Sequence, residues 1–402
     1  MNQPDLIVVG GGISGLSIAW KAAQAGRKVL VLEANAEVGG CICTRRFEDG
    51  FWLEIGAHTV YNSYCRWIEM ATAAGCDRAM LTRGPARALF GLLRDGTFRW
   101  LTPPKVLLEL DWLTAAVHLP VGLFRDKRGL TIEEYFSSLL GRGNFRSVLS
   151  PILSAVPSQT ADLFPAEGPG SLFKKRPRNQ GFPRHLGFEG GLQTVCNALA
   201  SQSGITTWTG VDVKTLEESS GGFAVHCSDG RELGSARVAL AAPCRVTADL
   251  LRNARPNLAQ IIDTLETVEV ESVGTRLPRA ECWMPECAFL IPTDDAFFSA
   301  VTRDPFPDPD SRAFTFHFRP GLDRIGKLQR MSEVLRVDPD ALADCTERRV
   351  TLPSPRIGHA AIVAAVDHHL EGSNLAITGN YFAGLAIEDC IARSWSEWDR
   401  IA

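Results

Sequence analysis

The 402-residue chain has no excess of one charge sign, no long uncharged apolar run and no paired-cysteine motif. Its 42 basic and 46 acidic residues leave a formal charge of −4, so no electrostatic footprint for nucleic acid is present. The basic run Lys174-Lys175-Arg176-Pro177-Arg178 is short and reads as a solvated loop. Without about twenty consecutive apolar residues, no transmembrane helix is expected. The nearest approach, residues 103–124, is rich in Leu, Val and Trp but includes Lys105, Glu109 and Asp111. It reads as an amphipathic helix, either packed on the core or lying on a bilayer surface. A first strand near residue 5 leaves no room for a cleavable signal peptide, so the expected location is cytoplasmic, with peripheral contact at the membrane's inner face as an added option.

The eleven cysteines include no CxxC pair, and the spacings of Cys41/Cys43 and Cys282/Cys287 do not suit zinc. Free, mostly buried thiols and no metal site are expected. GxSxG and HExxH are also missing, which removes the serine-hydrolase elbow and the zinc-protease helix. No internal repeat or low-complexity tract stands out. At 45% hydrophobic and 22% charged the composition is ordinary for a globular protein, and the length suggests two or three lobes.

What is present begins at residue 5. An apolar run at 5–9 ends in Gly10-Gly11-Gly12-Ile13-Ser14-Gly15. A helical pattern follows to Ala25, then a second apolar run at 28–32 ending in Glu33-Ala34. Strand, glycine turn, helix, strand and acid together form the dinucleotide fingerprint GxGxxG. Gly10 permits the turn, Gly12 lets backbone approach a pyrophosphate, and Gly15 lets the helix pack on the strand. The helix N-terminus offers free N–H groups to the phosphates, and Glu33 can accept from a ribose hydroxyl.

This unit alone does not choose between NAD and FAD. Val38-Gly39-Gly40 follows the acid, and an alternating strand leads to Gly56-Ala57-His58-Thr59. With these residues the sequence resembles the amine oxidase, protoporphyrinogen oxidase and carotenoid desaturase superfamily of flavoproteins. The resemblance implies FAD, with residues 10–15, 33–34, 39–40 and 56–59 around it. Cys41 stands where that group usually has Arg.

Two later stretches complete the pattern. Gly187 to Ala200 reads as a glycine turn entering a helix, followed by strands at 206–213 and 222–227 and a hairpin signal at Asp229-Gly230. By resemblance the backbone of Val213 meets adenine. Then Gly379-Asn380-Tyr381-Phe382-Ala383-Gly384-Leu385-Ala386-Ile387 precedes Glu388-Asp389-Cys390-Ile391. This is similar to the protoporphyrinogen oxidases, and it implies that Gly379, Asn380, Gly384, Ala386 and Ile387 border the flavin. A helix starting near Ile387 would direct its N-terminus at the flavin N1–C2=O edge.

The expected fold is therefore α/β (α+β overall): a Rossmann-like FAD-binding domain from residues 1–82, 183–246 and 353–402, a helical lobe at 83–182, and a mixed-sheet substrate domain at 247–352. The resemblance implies hydride transfer from a substrate carbon to flavin N5, with a small apolar tetrapyrrole as substrate and oxygen or a quinone as acceptor. Arg87 and Arg94 are the candidate cations for its carboxylates. His359 either lies near the isoalloxazine or is a core or loop histidine, and Tyr381 either lines the flavin or packs beneath it. A flavin amine oxidase, a polyene desaturase and a catalytically silent flavin- or porphyrin-binding protein are the alternatives.

Overall fold

A computed structural model describes residues 3–219, 221–342 and 344–402. Strands Leu6–Val9 and Val29–Glu33 are buried along their whole length. Continuous apolar runs suit a parallel sheet whose two faces are both covered. These strands lie second and third in a five-stranded sheet of order Ile205–Thr209, Val29–Glu33, Leu6–Val9, Val238–Leu240, Leu375–Ile377, parallel throughout. Three well-separated stretches of chain thus build one sheet. Helix Ile13–Gln24 crosses between the first two strands, and helix Ile387–Ile401 packs beside it.

The second large sheet has seven strands, in the order Thr346–Pro353, Thr267–Pro278, Ser311–Phe318, Phe297–Thr302, Phe289–Pro292, Phe90–Arg94, Thr97–Leu101. Its alternation sorts two unlike faces. Val273, Phe316 and Phe318 join Met331, Val334 and Leu335 of helix Arg324–Leu335 in one core. The other face carries Arg348, Ser272, His317 and Ser299 in a single row across four adjacent strands. Gly274 lies on this same face. A Cβ there would stand 2.4 Å from Ile55 Cδ1 and 2.7 Å from Leu53 Cδ1. Its bare backbone therefore lets strand Trp52–Glu54 sit directly on the sheet, where Thr315 Oγ1 donates to the Glu54 carbonyl at 2.7 Å.

The mixed α/β class agrees with expectation, and several local readings change. After a short 3₁₀ turn at Pro85–Ala88, residues 83–182 continue not into a long helix but into the hairpin Phe90–Arg94/Thr97–Leu101, which closes one edge of the seven-stranded sheet. Its apolar residues belong to strands because Asp95-Gly96 supplies a tight turn, Gly96 at φ 73°. Residues 103–124 form a 3₁₀ segment, Pro103–Glu109, and then helix Trp112–Gly122, rather than one amphipathic helix. The strand expected at 206–213 is broken: Ile205–Thr209 joins the parallel sheet, and Val213–Ser219 pairs with Gly222–Cys227 in a small antiparallel sheet. The Asp229-Gly230 hairpin forms as read. All eleven cysteines are free, and six are buried.

Candidate active site

The first glycine turn is shaped by close backbone approach. A Cβ on Gly15 would stand 1.9 Å from the Gly10 carbonyl oxygen, so the helix could not pack on the turn with any side chain there. Gly10 has φ 107°, a region closed to most L-residues, and a Cβ would reach the Ala241 oxygen at 2.7 Å. Gly12 differs: its Cβ would meet nothing closer than Gly40 Cα at 3.6 Å. Internal packing does not demand glycine at that position. No side chain caps the helix that starts at Ile13, so its N–H groups beside Ser14 stay available. Glu33 is buried; its Oε2 accepts from Gly11 N at 2.6 Å and its Oε1 from Asn35 N at 2.8 Å. Ala34 next to it is exposed. The Glu33 carbonyl accepts from Val211 N at 2.9 Å, which places Val213 and its strand beside the acid.

The separated stretches meet here. Gly39 N donates to the Gly11 carbonyl at 2.9 Å. Gln193, on the helix after Gly190-Gly191, donates to the Val38 carbonyl at 2.7 Å and accepts from Thr44 N at 3.0 Å. Ser394 Oγ reaches the Ser14 carbonyl at 2.9 Å and Thr378 Oγ1 at 2.7 Å, tying the C-terminal turn to the first one. Ala57 N donates to the Cys41 carbonyl at 3.0 Å, which folds residues 56–59 back over the Gly39-Gly40 bend. Although residue 41 is Cys, a guanidinium still reaches this bend: Arg348 donates to the Gly40 carbonyl at 2.6 Å from the edge of the second sheet.

The C-terminal turn is braced from outside. Ala386 precedes helix Ile387–Ile401 with no side-chain cap. The two acids in its first turn are both engaged elsewhere. Glu388 accepts from the backbone of Arg66 and Trp67, and Asp389 pairs with Lys174 at 3.0 Å and Arg176 at 2.7 Å. Lys174 also donates to the Ala383 carbonyl. The run read as a solvated loop is a loop in which Lys175, Pro177 and Arg178 are exposed, while Asp389 draws Lys174 and Arg176 inward to half-buried positions. A Cβ on Gly384 would stand 2.7 Å from Asp389 Oδ2. Asn380 is half-buried at the start of this turn.

The remaining candidates divide. Tyr381 is fully buried and donates to Thr247 Oγ1 at 3.2 Å, so it packs beneath the turn. His359 is buried at the start of helix His359–Leu370 with Nε2 3.0 Å from the Phe382 carbonyl oxygen, a partnered core histidine. Arg87 is exposed and donates to the carbonyls of Arg83 and Gly84. Arg94 donates to the Ser147 carbonyl at 2.9 Å. Neither of these arginines lines the cleft that contains His58.

That cleft is narrow and is bordered by Trp52, Glu54, His58, Arg83, Arg303 and Thr315. Arg83 is 4% exposed and donates to Thr59 Oγ1 at 2.8 Å. Arg303 donates to the Phe306 carbonyl at 2.8 Å and lies over Phe51 and Trp52. Among the described residues neither guanidinium has a carboxylate partner, and the Nε of each is buried without one. Burial lowers the pKa of both, Arg83 to about 10. His58 Nε2 lies 2.9 Å from His317 Nε2, and His317 Nδ1 lies 2.8 Å from Ser272 Oγ. Burial pulls His317 down to about 4. His58 is held well below its ordinary value by burial, then by His317 and by Arg83. Sequence reasoning singled out neither Arg83, Arg303 nor His317. Only His317 left a signal, a polar residue within a strand of apolar alternation, which resembles a surface position until the sheet's partner is known; Arg83 and Arg303 lie in loops just after strands.

Comparison with known proteins follows the same outline. The family described as flavin containing amine oxidoreductase matches residues 13–338. A coproporphyrinogen III oxidase of Propionibacterium freudenreichii is 23% identical over 98% of this chain and 90% of its own. A crystal structure from Exiguobacterium sp. 255-15, assigned as a protoporphyrinogen oxidase, superposes with TM-score 0.79 at 20% identity, covering 100% of this chain and 99% of the other. A putrescine oxidase superposes with TM-score 0.71 at 16% identity over 99% of both chains. The chain belongs to the flavin containing amine oxidoreductases, as a flavin-dependent oxidoreductase that is similar to porphyrinogen oxidases.

Proposed function

We propose that the flavin is FAD and that the enzyme dehydrogenates a carboxylate-bearing porphyrinogen, with oxygen or a quinone as final acceptor. When bound, the flavin supplies the hydride acceptor at N5. The residues in hand suit that cofactor. Two uncapped helix N-termini, at residues 12–15 and 386–387, offer N–H groups to its anionic parts. In this reading Glu33 accepts from a ribose hydroxyl, the backbone of Val213 meets the adenine, and residues 39–40 and 56–59 border the rest of the cofactor.

The observation that carries the substrate reading is the pair Arg83 and Arg303. Arg83 is buried and Arg303 half-buried in one cleft, neither with a carboxylate in salt-bridge reach among the described residues, and such charges are costly unless a ligand neutralises them. A substrate with carboxylates on an apolar body meets both needs, since Phe51, Trp52 and Phe306 surround the same cations. The full-length similarity to a coproporphyrinogen III oxidase points the same way.

An amine oxidase would need paired aromatic rings around a cationic amine. Tyr381 and Phe382, the C-terminal aromatic pair, are buried in the dinucleotide core, where the Phe382 ring is covered by Arg393 of the same chain. The deciding experiment is anaerobic mixing of the flavin-loaded protein with coproporphyrinogen, protoporphyrinogen and putrescine in turn. Bleaching of the flavin by a porphyrinogen, with porphyrin fluorescence appearing, is expected. Bleaching by the amine alone would replace this reading, and no bleaching by any would favour a silent binder.

A further inference from the structure

We propose that His58 is the base that takes a proton from the bound substrate, and that His317, oriented by Ser272, determines which nitrogen of His58 is free to do so. This rests on the reading that residues 56–59 border the flavin.

The geometry limits the choices. The two Nε2 atoms are 2.9 Å apart, and the rings meet edge to face at 73°. Across such a contact one nitrogen donates and the other accepts. A neutral imidazole has one N–H, so only two arrangements exist. In the first, His58 Nε2–H donates to His317 Nε2, the His317 proton sits on Nδ1, and that N–H donates to Ser272 Oγ. His58 Nδ1 is then a bare lone pair. In the second, every direction reverses and His58 Nδ1 carries a proton. A base at His58 Nδ1 requires the first.

His317 is held in place by its sheet. Ser272 and Ser299 flank it in register on the two neighbouring strands, on the face turned toward residues 52–59. The ring is buried, so it cannot turn to water for another partner. His58 is half-buried on a loop at the cleft, and among the described residues its Nδ1 has no hydrogen-bond partner. The charged or titratable groups around that cleft are Glu54 from the strand beneath, Arg83 from the loop after Met80–Thr82, and Arg303 from the loop after Phe297–Thr302.

The step balances as a two-electron dehydrogenation. A substrate C–H bond breaks with its electron pair leaving as hydride to flavin N5. A substrate N–H bond breaks with its pair retained to form the new double bond, and that proton passes to His58 Nδ1. Positive charge then spreads through Nε2–H toward His317, whose Nδ1–H rests on Ser272. When a carboxylate neutralises Arg83, one of the cations that oppose protonation of His58 is removed, beside the larger effect of burial. The proton returns to water when product leaves.

The test uses flavin-loaded protein labelled with ¹⁵N-histidine. Long-range proton–nitrogen spectra are expected to show His58 protonated at Nε2 and His317 at Nδ1, both unchanged between pH 6 and 8, with H58Q and H317Q supplying the assignments. Anaerobic flavin reduction by the porphyrinogen supplies a second readout. H317Q keeps an acceptor near the Nε2 position and should stay within a few-fold of the parent. H317F removes it and should slow reduction about 100-fold. If H317F fails to hold flavin, S272A tests the same chain, and a shifted acidic limb of its pH profile is expected. His58 protonated at Nδ1, or equal rates for H317Q and H317F, would overturn the proposal while leaving a yellow protein. A colourless protein would instead remove the cofactor reading.

Discussion

Arg83 carries a charge into a cleft where, among the described residues, no carboxylate meets it. If its task is to hold a substrate carboxylate, R83M should raise KM for the porphyrinogen about 10- to 100-fold with a smaller change in kcat. Steady-state kinetics on folded, flavin-loaded variant would decide, and an unchanged KM would remove Arg83 from the site. Glu54, in the same cleft, makes a different point. Its carboxylate accepts from Thr44 Oγ1 at 2.6 Å and Leu192 N at 2.7 Å, yet burial outweighs these bonds and raises its pKa to about 7. The folded protein therefore holds this proton where the unfolded chain, with a value near 4.5, has released it. Stability from this group is present below about pH 4.5 and is lost as pH rises toward 7, a change of roughly 3 kcal/mol. E54Q should flatten that slope in urea titrations across pH 5–8. An equally steep slope would show that Glu54 is not its source.

Elements were legible where local chemistry decides them. The dinucleotide unit could be read because part of it is local, as with Gly15 against the Gly10 carbonyl, although Gly10 itself meets Ala241 from far along the chain. The turn at residues 379–387 was recognisable, but its support was not, because Lys174 and Arg176 come from more than two hundred residues earlier. The polar row Arg348, Ser272, His317, Ser299 was equally hidden: each residue sits on its own strand, and only the pairing register brings them together. Long-range pairing likewise explains Arg312 in strand Ser311–Phe318. It forms a buried pair with Asp304 and donates to the carbonyls of Met284 and Pro285, fastening the loop before the strand to the one that precedes Phe289–Pro292. D304A leaves that guanidinium buried alone and should cost about 3–5 kcal/mol in chemical denaturation. A loss under 1 kcal/mol would mean the loop relaxes to admit water.

At the scale of the whole molecule, one surface is unlike the rest. Leu108, Leu113, Val117, Leu123 and Phe124 are exposed together on the segment around helix Trp112–Gly122, Leu113 at 85% and Phe124 at 90%. Of the two readings given for residues 103–124, we propose contact with the surface of a bilayer, which the exposed apolar side chains support. L113S combined with F124S should weaken sedimentation with lipid vesicles at least tenfold while leaving flavin content unchanged. Equal sedimentation would dismiss the contact. The larger claim is that stretches separated by hundreds of residues close around one cofactor. Its most direct measurement is the chromophore released by heat from the purified protein, identified by absorbance and mass. The account predicts one FAD per chain, with flavin bands in the visible spectrum before release. A colourless protein, or one that releases a nicotinamide dinucleotide, would contradict it.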